Sequence, residues 1–104
     1  MLLNDYQNEA MSFRLESATP LYAILNLSGE VGELQGLMAK AVRDGRKPDY
    51  ELNLKKELGD ILWHVAAVAL DNGLTLEEVA ASNIAKLSAR KEKGTLQGSG
   101  DNRE

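Results

Sequence analysis

The sequence contains no cysteine. That absence excludes disulfide staples and thiolate metal sites, and it fits a reducing cytoplasm, which is the expected location. No apolar run approaches the roughly 18 residues that a membrane span needs, although 43% of the 104 residues are hydrophobic, an ordinary share for a globular protein. The opening MLLNDYQNEA lacks a basic stretch followed by an apolar block, so no secretion signal is expected. Basic charge is also short: twelve Lys and Arg against sixteen Asp and Glu give a net charge of -4, which argues against a nucleic-acid polymer as partner. Sustained alternation and β-branched clusters are missing, so strands are not expected. There is no internal repeat, and the length suits one domain with one core.

What is present is helical periodicity. A first helix is expected over about residues 2–13, with Leu3, Tyr6, Ala10 and Phe13 on one stripe. Thr19 followed by Pro20 reads as the cap and first-turn proline of a second helix running to about Arg43. The stretch DGRKPD then breaks the chain. Asp49 is placed to cap a third helix, which continues to Asn72, and Gly73 suits its stop. Thr75 and Glu78 have capping-box spacing and Leu74 and Val79 have staple spacing, so a fourth helix starts there and runs to about Arg90. The end, EKGTLQGSGDNRE (92–104), reads as a mobile tail. The expected fold is an all-α, four-helix domain over residues 1–91 with short connections and mostly antiparallel neighbours.

The acids are placed unusually on these helices. With about 100° per residue, Ala23, Leu27, Val31, Leu34, Leu37 and Met38 form the apolar stripe of the second helix, with Glu30 inside it and Glu33 on its edge. The third helix repeats the arrangement: Glu57 and Asp60 flank a stripe of Leu54, Leu58, Ile61, Val65 and Val68. Like charges at this spacing cost a few tenths of a kcal/mol, and partial burial adds several more per ion unless something neutralises them. Four such acids call for a cation. Oxygen-only ligands favour a hard ion, Mg²⁺ or Mn²⁺, over zinc or copper, and such an ion commonly completes its shell with water and phosphate oxygens. The plain alternative is a solvated acidic face. Against it stand the position of both pairs beside the apolar stripes and the glycines within them, Gly32 and Gly59. An internal glycine costs up to about 1 kcal/mol relative to alanine, so Gly29, Gly32, Gly36 and Gly59 suggest that another helix approaches closely.

Complementary charge lies on the fourth helix, where Asn83, Lys86 and Arg90 share a face beside Leu76, Ala80, Ile84 and Leu87. These groups could hold phosphate oxygens, or the two cations could simply offset the helix dipole. His64, four residues after Asp60, is expected to form a hydrogen bond behind the acids or to be a half-buried imidazole, not a ligand. Tyr6 is expected in the core. On the third helix Leu52, Trp63, Ala66 and Leu70 make a second apolar side, which points to a homo-oligomer unless the first helix covers it.

EVGE (30–33), ELGD (57–60), ILWHVAAVAL (61–70), NGLTLEEV (72–79) and NIAKLSAR (83–90) together resemble the MazG-type nucleotide pyrophosphohydrolases of the all-α NTP pyrophosphatase superfamily, over nearly the whole chain from DYQNEA to KEKG. The resemblance implies Mg²⁺-dependent cleavage of a nucleoside or deoxynucleoside triphosphate between its α and β phosphates, giving the monophosphate and pyrophosphate. It assigns Glu30, Glu33, Glu57 and Asp60 to metal, makes Asn83 and Lys86 substrate contacts beside Arg90, and suits a homodimer or homotetramer. Glu33 is the candidate to accept the proton of the attacking water, and Glu57 is the second acid expected to be essential for turnover. Some relatives carry a further acid just before the first motif, where this chain has Ser28 and Gly29. Two other classes are weighed against this. A non-catalytic helical scaffold or regulatory dimer would use the acids only as surface, and a ferritin-like di-iron protein would require Glu-x-x-His pairs, which the single histidine does not supply.

Overall fold

The computed structural model describes residues 1–94, and among them there are four helices and no strand: α1 (Leu3–Ser12), α2 (Pro20–Asp44), α3 (Tyr50–Asp71) and α4 (Leu76–Lys93). The two long helices form the main pair. Asn26 of α2 meets His64 of α3, while the acids at 30 and 33 meet those at 57 and 60, so the pair runs antiparallel. Helix α1 packs on α3 and α4, and α4 in turn packs on α1 and α3, while its backbone stays apart from that of α2. The all-α, four-helix expectation holds. Helix α4 reaches Lys93, two residues into the stretch expected to be a tail, and positions 95–104 of that stretch lie outside the described residues.

Local chemistry explains where the helices start and stop. Thr19 is extended and its hydroxyl accepts the Tyr22 N–H, with Pro20 in the first turn. Helix α3 ends in a Schellman turn: Gly73 takes φ +73°, its N–H reaches the Leu70 carbonyl at 2.9 Å, and the Leu74 N–H reaches that of Ala69 at 2.8 Å. Thr75 and Glu78 form the capping box of α4. Asp49 behaves differently from expectation and makes no side-chain cap. It sits in a tight turn, closed by the Tyr50 N–H on the Lys47 carbonyl at 3.0 Å, with ψ 8°, so its carboxylate is not aimed at the amides of the first turn.

Helix α1 does something its apolar stripe did not announce. Phe13 is 73% exposed and Leu3 is also exposed, whereas the buried residues are Gln7 and Ala10. Gln7 donates to the carbonyls of Ala66 and Leu74 and accepts the Leu76 N–H at 3.0 Å. Asn4 accepts the next amide, that of Glu77, at 3.1 Å. With the Glu78 N–H on the Thr75 hydroxyl and the Thr75 N–H on the Glu78 carboxylate, all four N-terminal amides of α4 are satisfied, two of them by α1. The Trp63 indole donates to the Ala10 carbonyl at 3.0 Å, and Arg14 clasps Asp71 with two hydrogen bonds while also donating to the Ala18 carbonyl.

The core is small. Its buried apolar members are Ala10, Ala23, Ala66, Ala67, Ala69 and Leu76, with Tyr6, Met11 and Val65 packed against it, and among the described residues no large side chain is fully buried. Tyr6 is thus a core residue. Helix α1 covers the second apolar side of α3 at Trp63 and Ala66, so the covering by the first helix is realised there, while Leu52 and Leu70 stay exposed. The glycines do not mediate close approach within the chain: a methyl at Gly32, Gly36 or Gly59 would meet nothing within 4 Å, and one at Gly29 would meet only Asn26 Oδ1 at 3.5 Å. Their face of α2 has no neighbouring helix. The Gln7 contacts lead to a stability prediction. Replacing Gln7 by Ala strands the Leu76 amide and the Leu74 carbonyl, and should destabilise the fold by about 2–4 kcal/mol in chemical denaturation; a loss below about 0.5 kcal/mol would contradict the pinning of α4 by α1.

Candidate metal centre

The antiparallel pairing of α2 and α3 brings the two acid pairs face to face. One carboxylate oxygen from each of Glu30, Glu33, Glu57 and Asp60 lies within 4.8 Å of all the others. Glu30 and Glu57 lie half-buried along the helix seam, and Glu33 and Asp60 are exposed at its rim. The stripe geometry accounts for this, since Glu30 replaces an apolar residue inside the α2 stripe and Glu57 borders the α3 stripe.

Two of these carboxylates are left in electrostatic debt. Glu30 Oε2 and Glu57 Oε2 are buried and have no hydrogen-bond partner among the described residues. Burial pushes the proton affinity of Glu30 up, and the neighbouring charges of Glu33 and Asp60 push it further; His64 and then the Asn26 amide ease the shift. Glu57 is raised for the same reasons, burial first and then Glu33 and Asp60. A cation would reverse this logic by favouring the charged forms. The residues fit one. The donors are all carboxylate oxygens, which suit a hard divalent ion, and opposite ligands of a Mg²⁺ ion stand about 4.2 Å apart, so the observed spacing needs only a small side-chain adjustment.

Behind the acids lies a pair that the helical stripes did not reveal in full. His64 is buried, and its Nδ1 is 2.7 Å from the Asp60 carbonyl oxygen, an acceptor, so Nδ1 carries hydrogen. Its Nε2 faces the Asn26 amide nitrogen at 3.0 Å, and that nitrogen also reaches Glu30 Oε1 at 3.4 Å. His64 therefore makes a hydrogen bond behind the acids, as its spacing from Asp60 suggests. Asn26 was not anticipated. Its signal is present in the sequence, since it stands four residues before Glu30 on the same helix face.

The α4 groups lie elsewhere. Asn83 and Lys86 line an open cleft of about 460 Å³ with Leu74, Glu78, Val79 and Ser82, and none of the four acids lines that cleft. Arg90 is buried. The structure thus brings Glu30, Glu33, Glu57 and Asp60 together but does not place Asn83 and Lys86 in the same cleft.

The raised carboxyls determine a pH dependence. A glutamate that binds its proton more tightly folded than unfolded contributes most stability below the ordinary value of 4.5, and that contribution is lost as pH rises through the raised folded value. In chelator, the Glu30→Gln, Glu57→Gln double variant should therefore melt several degrees above the unaltered protein at neutral pH, the gap closing toward acid pH. Added Mg²⁺ should raise the melting temperature of the unaltered protein alone. Equal melting curves in all conditions would contradict the strained cluster and favour a simple scaffold.

Comparison with known proteins bears on this centre. Residues 18–95 match the family described as the MazG nucleotide pyrophosphohydrolase domain. The chain is also similar to the Gene 37 protein of Mycobacterium phage L5, with 40% identity over 85 residues, which cover 79% of this chain and 75% of that protein. No solved structure matches at a significant level. Among the described residues no helix is long and apolar enough to cross a membrane.

Proposed function

The chain belongs to the MazG nucleotide pyrophosphohydrolase family, and on that premise we propose that it hydrolyses nucleoside or deoxynucleoside triphosphates to the monophosphate and pyrophosphate, using Mg²⁺ or, in its place, Mn²⁺. The observation that supports this most is the convergence of four carboxylates with two buried oxygens lacking a partner. Glu30, Glu33, Glu57 and Asp60 hold the cation in this reading. Bound there, the ion supplies charge neutralisation for the triphosphate and acidifies a water for attack on the α phosphorus.

The chain's own residues divide the remaining work by exposure. Glu33 stands at the solvent rim, within reach of an entering water, and accepts its proton. Glu57 and Glu30, deeper in the seam, keep their carboxylates aimed inward. Asn83 and Lys86, which line an open cleft, contact the phosphates, and Arg90, buried in the single chain, backs that face of α4. Because the Asn83 and Lys86 cleft is separate from the four acids in one chain, this reading places those contacts in an assembled homodimer or homotetramer. Assembly has its own support: among the described residues no large side chain is fully buried, while Leu21, Ile24 and Leu25 along α2 and Leu58 and Leu62 along α3 stay exposed. The reaction is assigned to the cytoplasm.

Incubation with Mg²⁺ and a panel of ribo- and deoxyribonucleoside triphosphates should yield monophosphate and pyrophosphate; diphosphate and phosphate would contradict the assigned bond. Glu57→Gln should lower kcat by about 10²–10⁴-fold with helicity unchanged, and Lys86→Ala should raise KM about tenfold with kcat kept. Retained activity in the first, or an unchanged KM in the second, would remove the corresponding role. Sedimentation at micromolar concentration should show a dimer or tetramer, and a single species of 11.4 kDa would defeat the assembly.

A further inference from the structure

The hydrogen-bond chain Asp60 carbonyl, His64, Asn26, Glu30 crosses from α3 to α2 directly behind the acid cluster. The neighbours of each link favour one arrangement. The Asp60 carbonyl can only accept, so His64 presents hydrogen at Nδ1. The Asn26 nitrogen faces both Glu30 Oε1 and His64 Nε2, and two amide hydrogens serve those two acceptors. Turning the amide over would set its oxygen against the Glu30 carboxylate, so the orientation is determined by both neighbours. The His64 ring is further held by Trp63, whose ring meets it edge-on at 5.1 Å, and Trp63 is itself anchored to the Ala10 carbonyl of α1. Of the four acids, Glu30 is the one hydrogen-bonded to this chain, and its other oxygen is buried without a partner.

We propose that Asn26 and His64 are positioning residues: they hold the Glu30 carboxylate and the α2–α3 register so that the four acids converge before a cation arrives. This rests on the metal-dependent reading above. Neither residue is one of the four clustered acids, and in this proposal their effect passes through Glu30 and the backbone of Asp60. Groups that orient metal ligands in this way typically change metal affinity by about 10–100-fold when removed.

Mn²⁺ binding to the full chain, measured by calorimetry without nucleotide, tests this together with steady-state kinetics. Asn26→Leu keeps the side-chain bulk and removes the amide, and His64→Phe keeps the ring and removes both nitrogens. Each should weaken Mn²⁺ binding about tenfold or more and lower kcat with KM for the triphosphate little changed. His64→Gln restores an acceptor near Nε2 and should recover Mn²⁺ affinity to within about threefold of the unaltered protein. If Asn26→Leu and His64→Phe lower only the metal-free melting temperature, with Mn²⁺ affinity intact, the pair is merely structural and the proposal is overturned while the metal-dependent reading survives. If the unaltered protein takes up no Mn²⁺, that reading fails and this inference falls with it.

Discussion

Four carboxylates with an oxygen each within 4.8 Å of one another repel, and two of their oxygens are buried with no hydrogen-bond partner among the described residues. Most of what is distinctive in the structure is an answer to that repulsion. A sequence selected only for stability would place an apolar residue at Glu30, within the packing stripe of α2, and would keep the acids of α3 away from the seam. Burial and neighbouring carboxylates raise the proton affinities of Glu30 and Glu57, so the bare fold disfavours their charges. A divalent cation turns the same arrangement from a cost into a contribution.

The rest of the fold can be read as support for the α2–α3 seam. Helix α1 is short, yet through Gln7 and Asn4 it satisfies two amides at the start of α4 and through Ala10 it anchors Trp63. Trp63 steadies His64, His64 orients Asn26, and Asn26 reaches Glu30. Polar contacts carry much of this organisation because the apolar core is mostly alanine. Small side chains let the helices approach, but they bury little area, so fixed hydrogen bonds assume the task of specifying one register.

The helices and their ends were legible because capping chemistry is local. Thr19 with Pro20, Gly73, and Thr75 with Glu78 each act within a few residues, and each appears where its spacing indicates. The acid pairs were legible for a related reason, since their angular position on the helix determines which carboxylates can meet. Asp49 was misread because a cap depends on backbone torsion, which the neighbouring turn sets. Gln7 and Asn26 escaped notice because their partners lie 69 and 38 residues away, and no local pattern marks a polar residue that will be buried by tertiary contact. The glycines of α2 were read as contact points, but the chain leaves them facing open space.

Anomalous diffraction from crystals grown with Mn²⁺ addresses the seam most directly. A metal peak should appear within about 2.2 Å of carboxylate oxygens from both helices, including Glu30 and Glu57. A map with manganese bound only at other surface acids, and the oxygens of Glu30 and Glu57 still without a partner, would contradict the account.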